Sequence, residues 1–409
     1  MRSRSEPPFH CLQYQKDQAR SEPSAHLSAR PKGQYTINPS LFIISMPTKI
    51  PTEAVGSVPR PSRLQAAIDG AEKGTVTTAE LETFYDEAVQ TTIAELEKTG
   101  SPVVTDGEQT KPSFVSYPIA GLDNLAADGI SIDFEDGHSR QLPKLTKGPF
   151  RYGAYAGSYL ERAKKYTKKP LKQAVISASA MSLLYPAEGL EDYPKEQFIA
   201  DLVEEAVKDI RSCFDSGAER VQIDFTEGRL AVKLDPSKGL LQQFIDLNNT
   251  VLSKFSKEEQ LRIGVHTCPG GDHDSTHSAD VPYAELIPLL MSLTVGSFYM
   301  QMASETDPEA ALKVVAQHLQ PHQTLFVGVI DVLDETVESL EVVRDRVLQA
   351  AKMIPVTQLG TTDDCGFSPF CDDVATAREV AFAKIKARVD GTRMAEQELD
   401  SGRSVHSGD

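Results

Sequence analysis

The stretch that decides the fold is Leu261-Arg262-Ile263-Gly264-Val265-His266-Thr267-Cys268. Its apolar run predicts a buried β-strand, and the run ends in an imidazole and a thiol two positions apart. Because side chains alternate with a period of two along a strand, His266 and Cys268 should point to the same side. Imidazole and thiolate are ligands suited to zinc, so the end of this strand is a candidate metal site.

The same rhythm, a short apolar run followed by a helical pattern, repeats along the chain from Pro51. Alternating β and α segments over about 340 residues predict an α/β fold, a parallel (β/α)8 or TIM barrel with long β/α loop insertions. A doubly wound open sheet is the alternative, but no G-x-G-x-x-G fingerprint follows an early strand. The predicted strands cover residues 53–57, 102–106, 173–177, 220–224, 261–266, 296–301, 324–331 and 356–361.

Two insertions interrupt this rhythm. Residues 109–172 contain Pro, Gly and aromatic residues with a short alternating piece at 129–134, which predicts a long loop carrying a hairpin over the barrel mouth. Residues 269–282, directly after Cys268, form a second loop. Both insertions follow predicted strands, so we expect them on the face of the barrel where active sites are found.

The two ends of the chain differ in composition from its middle. Residues 1–47 are rich in Ser, Pro and Arg and are predicted to be a disordered extension. They are interpreted as a transit segment or as a gene-model extension ahead of an internal start at Met46. The barrel is predicted to span residues 48–392, and residues 393–409 are predicted to be a polar tail.

Composition excludes some classes of function. A net charge of −17 argues against nucleic acid as the main partner, because phosphate neutralisation needs a basic face. No apolar run reaches the length of about 18 residues that a membrane helix needs, so no membrane partner is expected. Five cysteines in a chain of 409 residues fit a reducing compartment, and a cytoplasmic location is predicted.

Polar side chains follow most of the predicted strands. In barrels of this class, chemistry gathers where the strands end on the C-terminal face. A single such residue often caps the next helix, but a whole set of polar strand ends is typical of an active site. The set is Ser57, Asp106, Glu108, Asp224, His266, Cys268, Asp331, Asp363, Asp364 and Cys365.

A three-ligand zinc site would result if the ends of strands 261–266 and 356–361 meet, since Cys365 would then join His266 and Cys268. Such a site keeps one position open for a substrate. Two thiolate ligands leave the metal with little positive charge, so it would hold a substrate thiol as an electron-rich thiolate. Glu108 and Asp224 are expected to bind a substrate ammonium group.

These residues together resemble the catalytic C-terminal barrel of cobalamin-independent methionine synthase and its shorter relatives among the zinc thiol-alkyltransferases. The resemblance spans residues 50–389. The serine of the family's opening motif contacts homocysteine, and so do the acids of its Gly-Glu and Gln-Ile-Asp motifs, which implies the same roles for Ser57, Glu108 and Asp224. The matching stretches are Gly56-Ser57-Val58-Pro59-Arg60, Gly107-Glu108, Gln222-Ile223-Asp224, His266-Thr267-Cys268 and Asp364-Cys365-Gly366.

The metal motif departs from the family at its fourth ligand. The family uses a glutamate on the sixth strand, where simple alignment places Gln301, and Glu305 follows shortly after. The resemblance therefore implies Glu305 as the candidate fourth ligand, with Gln301 or no fourth ligand as the alternatives.

The proton-donor motif departs as well. The family's motif after the seventh strand carries a histidine proton donor; this chain keeps Asp331 of that motif but has Leu333 at the histidine. His273 and His277, in the loop 269–282, are candidate acids instead. The chain has no tryptophan, whereas the family places one near the folate, and Tyr185 falls near its position.

The resemblance implies an enzyme that uses Zn²⁺ to transfer a methyl or alkyl group to a thiol, with homocysteine the first candidate. Because the departures concern the folate side, the donor is expected to be a different, unidentified alkyl compound. The alternatives are an epoxide-to-thiol transferase or a carbon–sulfur lyase of the same superfamily. A zinc-free decarboxylase-like relative or a non-catalytic relative also remains open.

Overall fold

A computed structural model describes residues 47–406 of the chain, and side chains as far as residue 401. Segments of four to seven mostly buried residues form the strands of its central sheet, whereas segments with 3.6-residue periodicity form the helices around it. The strands are β1 Leu125–Ala126, β2 Ser131–Asp133, β3 Ser139–Gln141, β4 Lys144–Leu145, β5 Lys172–Ile176, β6 Arg220–Asp224, β7 Ile263–Thr267, β8 Gly271–Asp272, β9 Ser275–Thr276, β10 Ser297–Met300, β11 Thr324–Ile330 and β12 Leu359–Asp363.

The helices pack their apolar faces onto this sheet. In the longer of the two helices between β5 and β6, residues recur at helical spacing and are all buried: Phe198, Leu202, Ala206 and Ile210. The helices are α1 Ser62–Glu72, α2 Thr78–Lys98, α3 Gly157–Ala163, α4 Ala178–Ser182, α5 Lys195–Asp215, α6 Gly228–Leu234, α7 Gly239–Leu252, α8 Lys257–Gln260, α9 Ile287–Leu290, α10 Pro308–His318, α11 Leu340–Ala351 and α12 Arg378–His406.

The main sheet has six parallel strands in the order β5, β6, β7, β10, β11, β12. Each strand pairs with the next one in the chain, which is the arrangement of a (β/α)8 barrel. All residues of β5, β7, β10 and β12 are buried, because one face meets the barrel interior and the other meets the helices. The prediction of an α/β barrel is confirmed.

The first two predicted strands exist only as extended segments that close the ring. Thr52 forms a parallel bridge with Thr361 of β12, and Val104 forms one with Leu171 beside β5. The two segments meet each other through the Val58 amide, which donates to the Gly107 carbonyl at 3.1 Å. Prolines at 51, 59 and 102 lie at the ends of these segments and lack an amide hydrogen, so they limit how far either ladder can extend.

The last predicted strand begins later than expected. Residues 356–358 form a short 3-10 helix, and the strand itself is β12, Leu359–Asp363. Pro355, which precedes this turn, favours a turn over a strand start. The shift places Asp364 and Cys365 directly after the strand end.

The two insertions meet over the barrel mouth. The predicted hairpin is present as the antiparallel pair β2–β3, and β1 pairs with β4 at its base. The loop after Cys268 forms a small hairpin of its own, β8–β9. The Glu135 amide donates to the Thr276 carbonyl at 2.9 Å, so the tip of one hairpin is bonded to the other.

The C-terminal helix α12 is packed against the start of the barrel. Glu396 accepts a hydrogen bond from the Ile50 amide at 2.6 Å, and Asp400 accepts one from the Thr48 amide at 3.0 Å. The boundary predicted between residues 392 and 393 therefore falls inside a helix. The extension predicted for residues 1–47 lies, except for Pro47, outside the described residues. None of the helices in the described part of the chain has the length and hydropathy that a membrane span requires.

Candidate active site

Three of the predicted metal ligands lie together at the C-terminal ends of the strands. His266 is on β7, Cys268 follows β7, and Cys365 follows β12. Their ligand atoms all lie within 4.8 Å of one another. The register of four neighbouring parallel strands, from β7 through β10 and β11 to β12, brings these strand ends to one side of the barrel.

The histidine is held in the tautomer that a metal ligand needs. Its Nδ1–H donates to the Tyr299 carbonyl at 3.2 Å, so Nε2 carries the lone pair. That Nε2 atom is buried and has no hydrogen-bond partner among the described residues. A buried nitrogen lone pair without a donor beside two thiols fits a metal ligand.

The two cysteines are free thiols in close contact. Their sulfurs lie 3.3 Å apart, well beyond the S–S bond length of about 2.05 Å. The neighbouring Cys365 thiol, together with His266, holds the pKa of Cys268 well below its usual range, while the same contact and burial raise that of Cys365. A tetrahedral zinc with bonds of about 2.3 Å would separate the sulfurs by about 3.8 Å, so a small outward shift admits the ion.

Asp364 fixes the position of Cys365. Its carboxylate accepts hydrogen bonds from the amides of Met302, Ala303 and Ser304 at 3.0, 3.0 and 2.7 Å and from the Ser304 hydroxyl at 2.7 Å. These bonds join the end of β12 to the loop after β10. The sequence placed Asp364 among the polar strand ends and in the motif of Cys365, but it did not indicate this supporting role.

Ser57 lies against the other side of the cysteine loop. Its hydroxyl accepts from the Ser368 amide at 3.2 Å, and its carbonyl accepts from the Phe367 amide at 3.0 Å. A Cβ atom on Gly366 would lie 2.1 Å from the Ser57 hydroxyl oxygen, so a larger residue after Cys365 would displace that hydroxyl. The predicted substrate serine is thus within the same cluster of strand ends.

The two predicted ammonium-binding acids are buried beside a lysine that sequence analysis missed. Lys111 Nζ lies 2.9 Å from Glu108 Oε1, and both side chains are almost fully buried. Burial alone would lower the pKa of Lys111, but Glu108, Asp106 and Asp224 raise it above its ordinary value. Burial and the Glu108 carboxylate raise the pKa of Asp224 to about 6. Lys111 therefore neutralises one of the two acids.

Glu305 and Asp331 make other contacts. Glu305 is not among the residues whose ligand atoms come together; its carboxylate pairs with the buried Arg229 at 2.5 Å. Gln301 borders a small pocket that also touches Cys268 and Cys365. Asp331 accepts a hydrogen bond from the Leu333 amide at 3.0 Å, which stabilises the turn after β11.

The two predicted acidic histidines differ in position. His277 is buried, lines the cavity described below and bonds to the Ser278 hydroxyl at 2.6 Å through Nδ1. Burial lowers its pKa to about 4, so it is neutral at pH 7 and is poorly suited to donate a proton. His273 is partly exposed and lies 2.8 Å from an Arg140 nitrogen, outside that cavity.

A cavity of about 260 Å³ adjoins the cluster. One side, which we call the floor, consists of Ser57, Glu108, Asp224, His266, Cys268 and Cys365. The opposite side, which we call the roof, is apolar and consists of Phe114, Ile132, Phe134, Leu142 and Phe370.

Arg140 ties the roof together. Its guanidinium pairs with Asp272 of the second loop at 2.5 Å and with Asp372 of the loop after β12 at 2.9 Å. It also lies over the Phe370 ring, 4.2 Å from the centroid. Three separate segments therefore meet at one side chain on β3.

Glu227 is a cavity residue that sequence analysis did not single out. It lies between β6 and α6, three positions after Asp224, and is 6% exposed. Its place in the sequence is the only signal that could have indicated it, because a residue just beyond a strand end in a barrel faces the mouth.

The comparisons with known proteins agree with this architecture. A family model described as the catalytic domain of cobalamin-independent synthase matches residues 50–390. The methionine synthase of Sulfurisphaera tokodaii is 21% identical over 352 residues, which cover 86% of this chain and 94% of the relative. That of Sulfolobus acidocaldarius is 23% identical over 357 residues, with coverage of 86% and 94%.

A solved structure has the same fold. It is a B12-independent methionine synthase from a Shewanella species, in complex with selenomethionine, and it matches with a TM-score of 0.68 and 19% identity. The match covers 86% of this chain and 99% of the other. Since the family model extends over most of the chain, from the first barrel segment into α12, the chain belongs to the family of cobalamin-independent synthase catalytic domains.

Proposed function

We propose that this protein transfers a methyl or alkyl group to a substrate thiol at a zinc site formed by His266, Cys268 and Cys365. The observation that carries the proposal is the convergence of one imidazole and two thiols within 4.8 Å at the strand ends, beside a cavity. This donor set fits zinc, and three protein ligands leave a position for a substrate. When bound, zinc would deprotonate a thiol that enters this position.

The protein's own residues keep the centre suited to a sulfur nucleophile. Cys268 and Cys365 contribute two negative charges as thiolates, which leave a substrate sulfur electron-rich. The hydrogen bond from His266 to the Tyr299 carbonyl keeps Nε2 directed at the centre, and Asp364 keeps Cys365 in place. Little freedom is then lost when the substrate binds.

Homocysteine is the first candidate for the thiol, because the floor carries acids for its ammonium group. Glu108 and Asp224 line the cavity, and Lys111 balances one of their charges. One net negative charge then faces a substrate ammonium group. The relatives named above are methionine synthases, which agrees with this candidate.

The alkyl donor is proposed to enter beneath the roof. Aromatic and aliphatic side chains line that side of the cavity, and they favour a donor with an apolar face. The donor is proposed to differ from the standard folate, and its identity is left to a panel of donors. A cytoplasmic location also stays a prediction.

The proposal is tested by the zinc content of purified protein with and without homocysteine, followed by zinc-edge X-ray absorption. We expect about one zinc per chain, ligated by one imidazole and two sulfurs, and one further sulfur after homocysteine is added. The matched control is Cys371→Ser, which removes a half-buried cysteine outside the cluster. A metal-free protein, or a zinc site that gains no sulfur with homocysteine, would overturn the proposal.

A further inference from the structure

Only one of the two carboxylate oxygens of Glu227 accepts hydrogen bonds from the described residues. Oε1 accepts hydrogen bonds from the Ser177 hydroxyl, at 2.6 Å, and from the Ser179 hydroxyl. Oε2 is buried and has no hydrogen-bond partner among the described residues. Because a buried oxygen without a partner is unfavourable, this atom is the one feature of Glu227 that its structural contacts do not explain.

The two serines that hold Oε1 are themselves fixed. Ser177 accepts from the Ala180 amide at 3.0 Å as the N-cap of α4, and Ser179 accepts from Asn248 Nδ2 at 2.6 Å. The Ser177 hydroxyl donates to Oε1, and the Ser179 hydroxyl lies closer to Oε1 than to its other acceptor, the Ser177 oxygen at 3.3 Å. If the carboxyl group is protonated, its proton lies on Oε2, the oxygen that no protein donor occupies.

The surroundings of Glu227 favour the protonated form. Burial raises the pKa of Glu227 to about 7, against the opposing effects of the two serine hydroxyls and of its own backbone amide. The charge of Asp224 raises the pKa of Glu227 further. No hydrogen bond or ion pair joins the Glu227 carboxylate to a lysine or arginine among the described residues. The other groups in contact with its carboxylate, Ser177 and Ser179, are neutral.

Glu227 lines the same cavity as the metal-ligand candidates. His266, Cys268 and Cys365 border that cavity on its floor, and the apolar roof closes it on the opposite side. A donor molecule in this space would have the thiol on one side and Glu227 within the same enclosure. Leu333, at the place of the family's proton donor, lines a different pocket and carries no proton.

We propose that Glu227 is the proton donor of this active site. A rotation of its side chain brings the covered Oε2 to the cavity, where its proton passes to the nitrogen or oxygen atom that the transferred alkyl group leaves. The inference rests on the proposed function. A proton-donor role explains why Oε2 has no partner. It also gives the site an acid, although Leu333 stands at the position of the family's proton-donor histidine.

The step balances in atoms and charge. The substrate sulfur, as a thiolate, forms a bond to the donor's alkyl carbon, while the bond from that carbon to the leaving nitrogen or oxygen breaks. The electron pair of the broken bond stays on the leaving atom, which takes the proton from Glu227. The thiol loses one proton on binding and the leaving group gains one, so the Glu227 carboxylate returns to the acid by taking up a proton from water.

The first test is infrared difference spectroscopy of the full-length protein against Glu227→Gln at pH 6 and pH 8.5. We expect a protonated carboxyl band at pH 6 that is missing from the variant and that fades in the wild type near neutral pH. Glu205→Gln is the matched control, because Glu205 is equally buried but is paired with Lys208 and Tyr155 outside the cavity. A Glu227 carboxylate that is ionised at pH 6 overturns the proposal.

The second test compares donors that need a proton with one that does not. Wild type, Glu227→Gln and Glu227→Asp are assayed for homocysteine alkylation with 5-methyltetrahydrofolate, trimethylamine and methanol, and with iodomethane, whose iodide leaves without a proton. For the nitrogen or oxygen donor that wild type uses, we expect Glu227→Gln to lower the rate about 100-fold and Glu227→Asp to lower it less. The iodomethane rate should change less than about twofold, because that reaction uses no acid.

The two proposals fail in different ways. If wild type binds no zinc and does not react with iodomethane, the proposed function fails, and the infrared band alone decides whether Glu227 is a neutral acid. If iodomethane reacts but Glu227→Gln matches wild type with the nitrogen and oxygen donors, Glu227 is not the proton donor. If wild type uses none of those three donors, the infrared band decides, because a Glu227 that is ionised at pH 6 has no proton to deliver.

Discussion

The floor and the roof of the cavity are built by different means. Four floor residues, Asp224, His266, Cys268 and Cys365, stand at or just after the ends of parallel strands, where backbone hydrogen bonds of the barrel determine their positions. Ser57 and Glu108 follow the two extended segments that bridge to that sheet. The roof consists of side chains from the insertion 109–172 and from the loop after β12, and Arg140 on β3 joins both to the loop 269–282. The chemistry of the floor can therefore stay constant while the roof changes, because the roof's shape depends on loop contacts that the barrel does not determine.

The difference also appears in how charge is handled. On the floor, Glu108 and Lys111 are paired in a fully buried setting, so removing either one would leave a buried charge. In the roof, Arg140 and Asp372 are partly exposed, and their attraction is weakened by solvent. We expect substitutions on the floor to abolish function and substitutions in the roof to adjust it.

The largest effect is expected from breaking the floor at its thiols. Cys268→Ser or Cys365→Ser should lower zinc affinity by at least about a thousandfold, because a hydroxyl is a far poorer ligand than a thiolate. Zinc per chain after dialysis, with circular dichroism as the check on folding, measures this. Cys371→Ser should keep its zinc, and full zinc content in both cluster variants would contradict the site.

The next effect separates two buried glutamates by pH. The folded pKa of Glu227 is about 7 against an ordinary 4.5, so between those values the folded form keeps a proton that the unfolded form has lost. The contribution of Glu227 to wild-type stability therefore falls as pH rises through this window. Glu227→Gln has no proton to lose at this position, so it does not show this decrease. The free energy of unfolding of Glu227→Gln is compared with that of wild type at each pH. Between pH 4 and a pH above 7, this difference should shift by about 3 kcal/mol in favour of the variant.

Urea unfolding of both proteins at several pH values measures this gain. Glu205→Gln should behave in the opposite way. Burial acts to raise the pKa of Glu205, but Lys208 and Tyr155 lower it below its ordinary value. The ionised Glu205 thus stabilises the fold at neutral pH, and that contribution is lost on acidification. A stability difference between Glu227→Gln and wild type that does not change with pH would show that Glu227 is ionised in the fold.

A smaller effect is expected from Asp364, which holds Cys365 in position without binding the metal itself. Asp364→Asn keeps the shape of the side chain but loses the charge that accepts bonds from three amides and a hydroxyl. Because groups that orient a ligand tune its affinity, zinc should bind about 10- to 100-fold more weakly. Competition with a zinc chelator measures this, and unchanged affinity would mean that Cys365 is held by the strand alone.

The smallest effect is expected from the roof. Asp372→Asn removes the solvent-exposed ion pair to Arg140, which should destabilise the closed roof by about 1 kcal/mol and raise its opening about fivefold. The rate at which a bulky maleimide modifies the cluster cysteines in zinc-free protein measures the opening. Lys144→Met is the control, because it removes exposed ion pairs of the insertion 109–172 away from Arg140. Equal maleimide rates in all three proteins would contradict a role for the ion pair between Arg140 and Asp372 in closure.

The sequence predicted the floor better than the roof. Strand periodicity and the rule that chemistry lies at strand ends were enough to predict that His266, Cys268 and Cys365 would meet, since their positions follow from the barrel alone. The same rule overestimated the first two strands, because prolines remove the amides that a ladder needs. Lys111, which follows Glu108 by three positions, could not be predicted as its partner, because that contact depends on how an irregular loop folds.

Glu305 illustrates the same limit. Its distance along the chain from Gln301 suggested a ligand, but its partner Arg229 lies on α6, and nothing in the spacing of the two residues indicates that they pair. Glu227 could not be predicted for a related reason. Two serines on another segment donate to Oε1 and leave Oε2 without a partner, and the sequence around Glu227 does not indicate those contacts. Sequence periodicity predicts strands and helices, but it does not predict which side chains of distant segments contact each other.

The way the ring closes has a consequence for how this protein acquires its structure. Thr52 bridges to Thr361, and the amide of Thr48 bonds to Asp400, 352 residues away along the chain. During synthesis, the first segment must therefore wait for nearly the whole described chain before it finds its neighbours. Since both ends of the barrel lie side by side, a circular permutant that links residue 47 to residue 406 and opens at an exposed loop such as 334–337 should still fold.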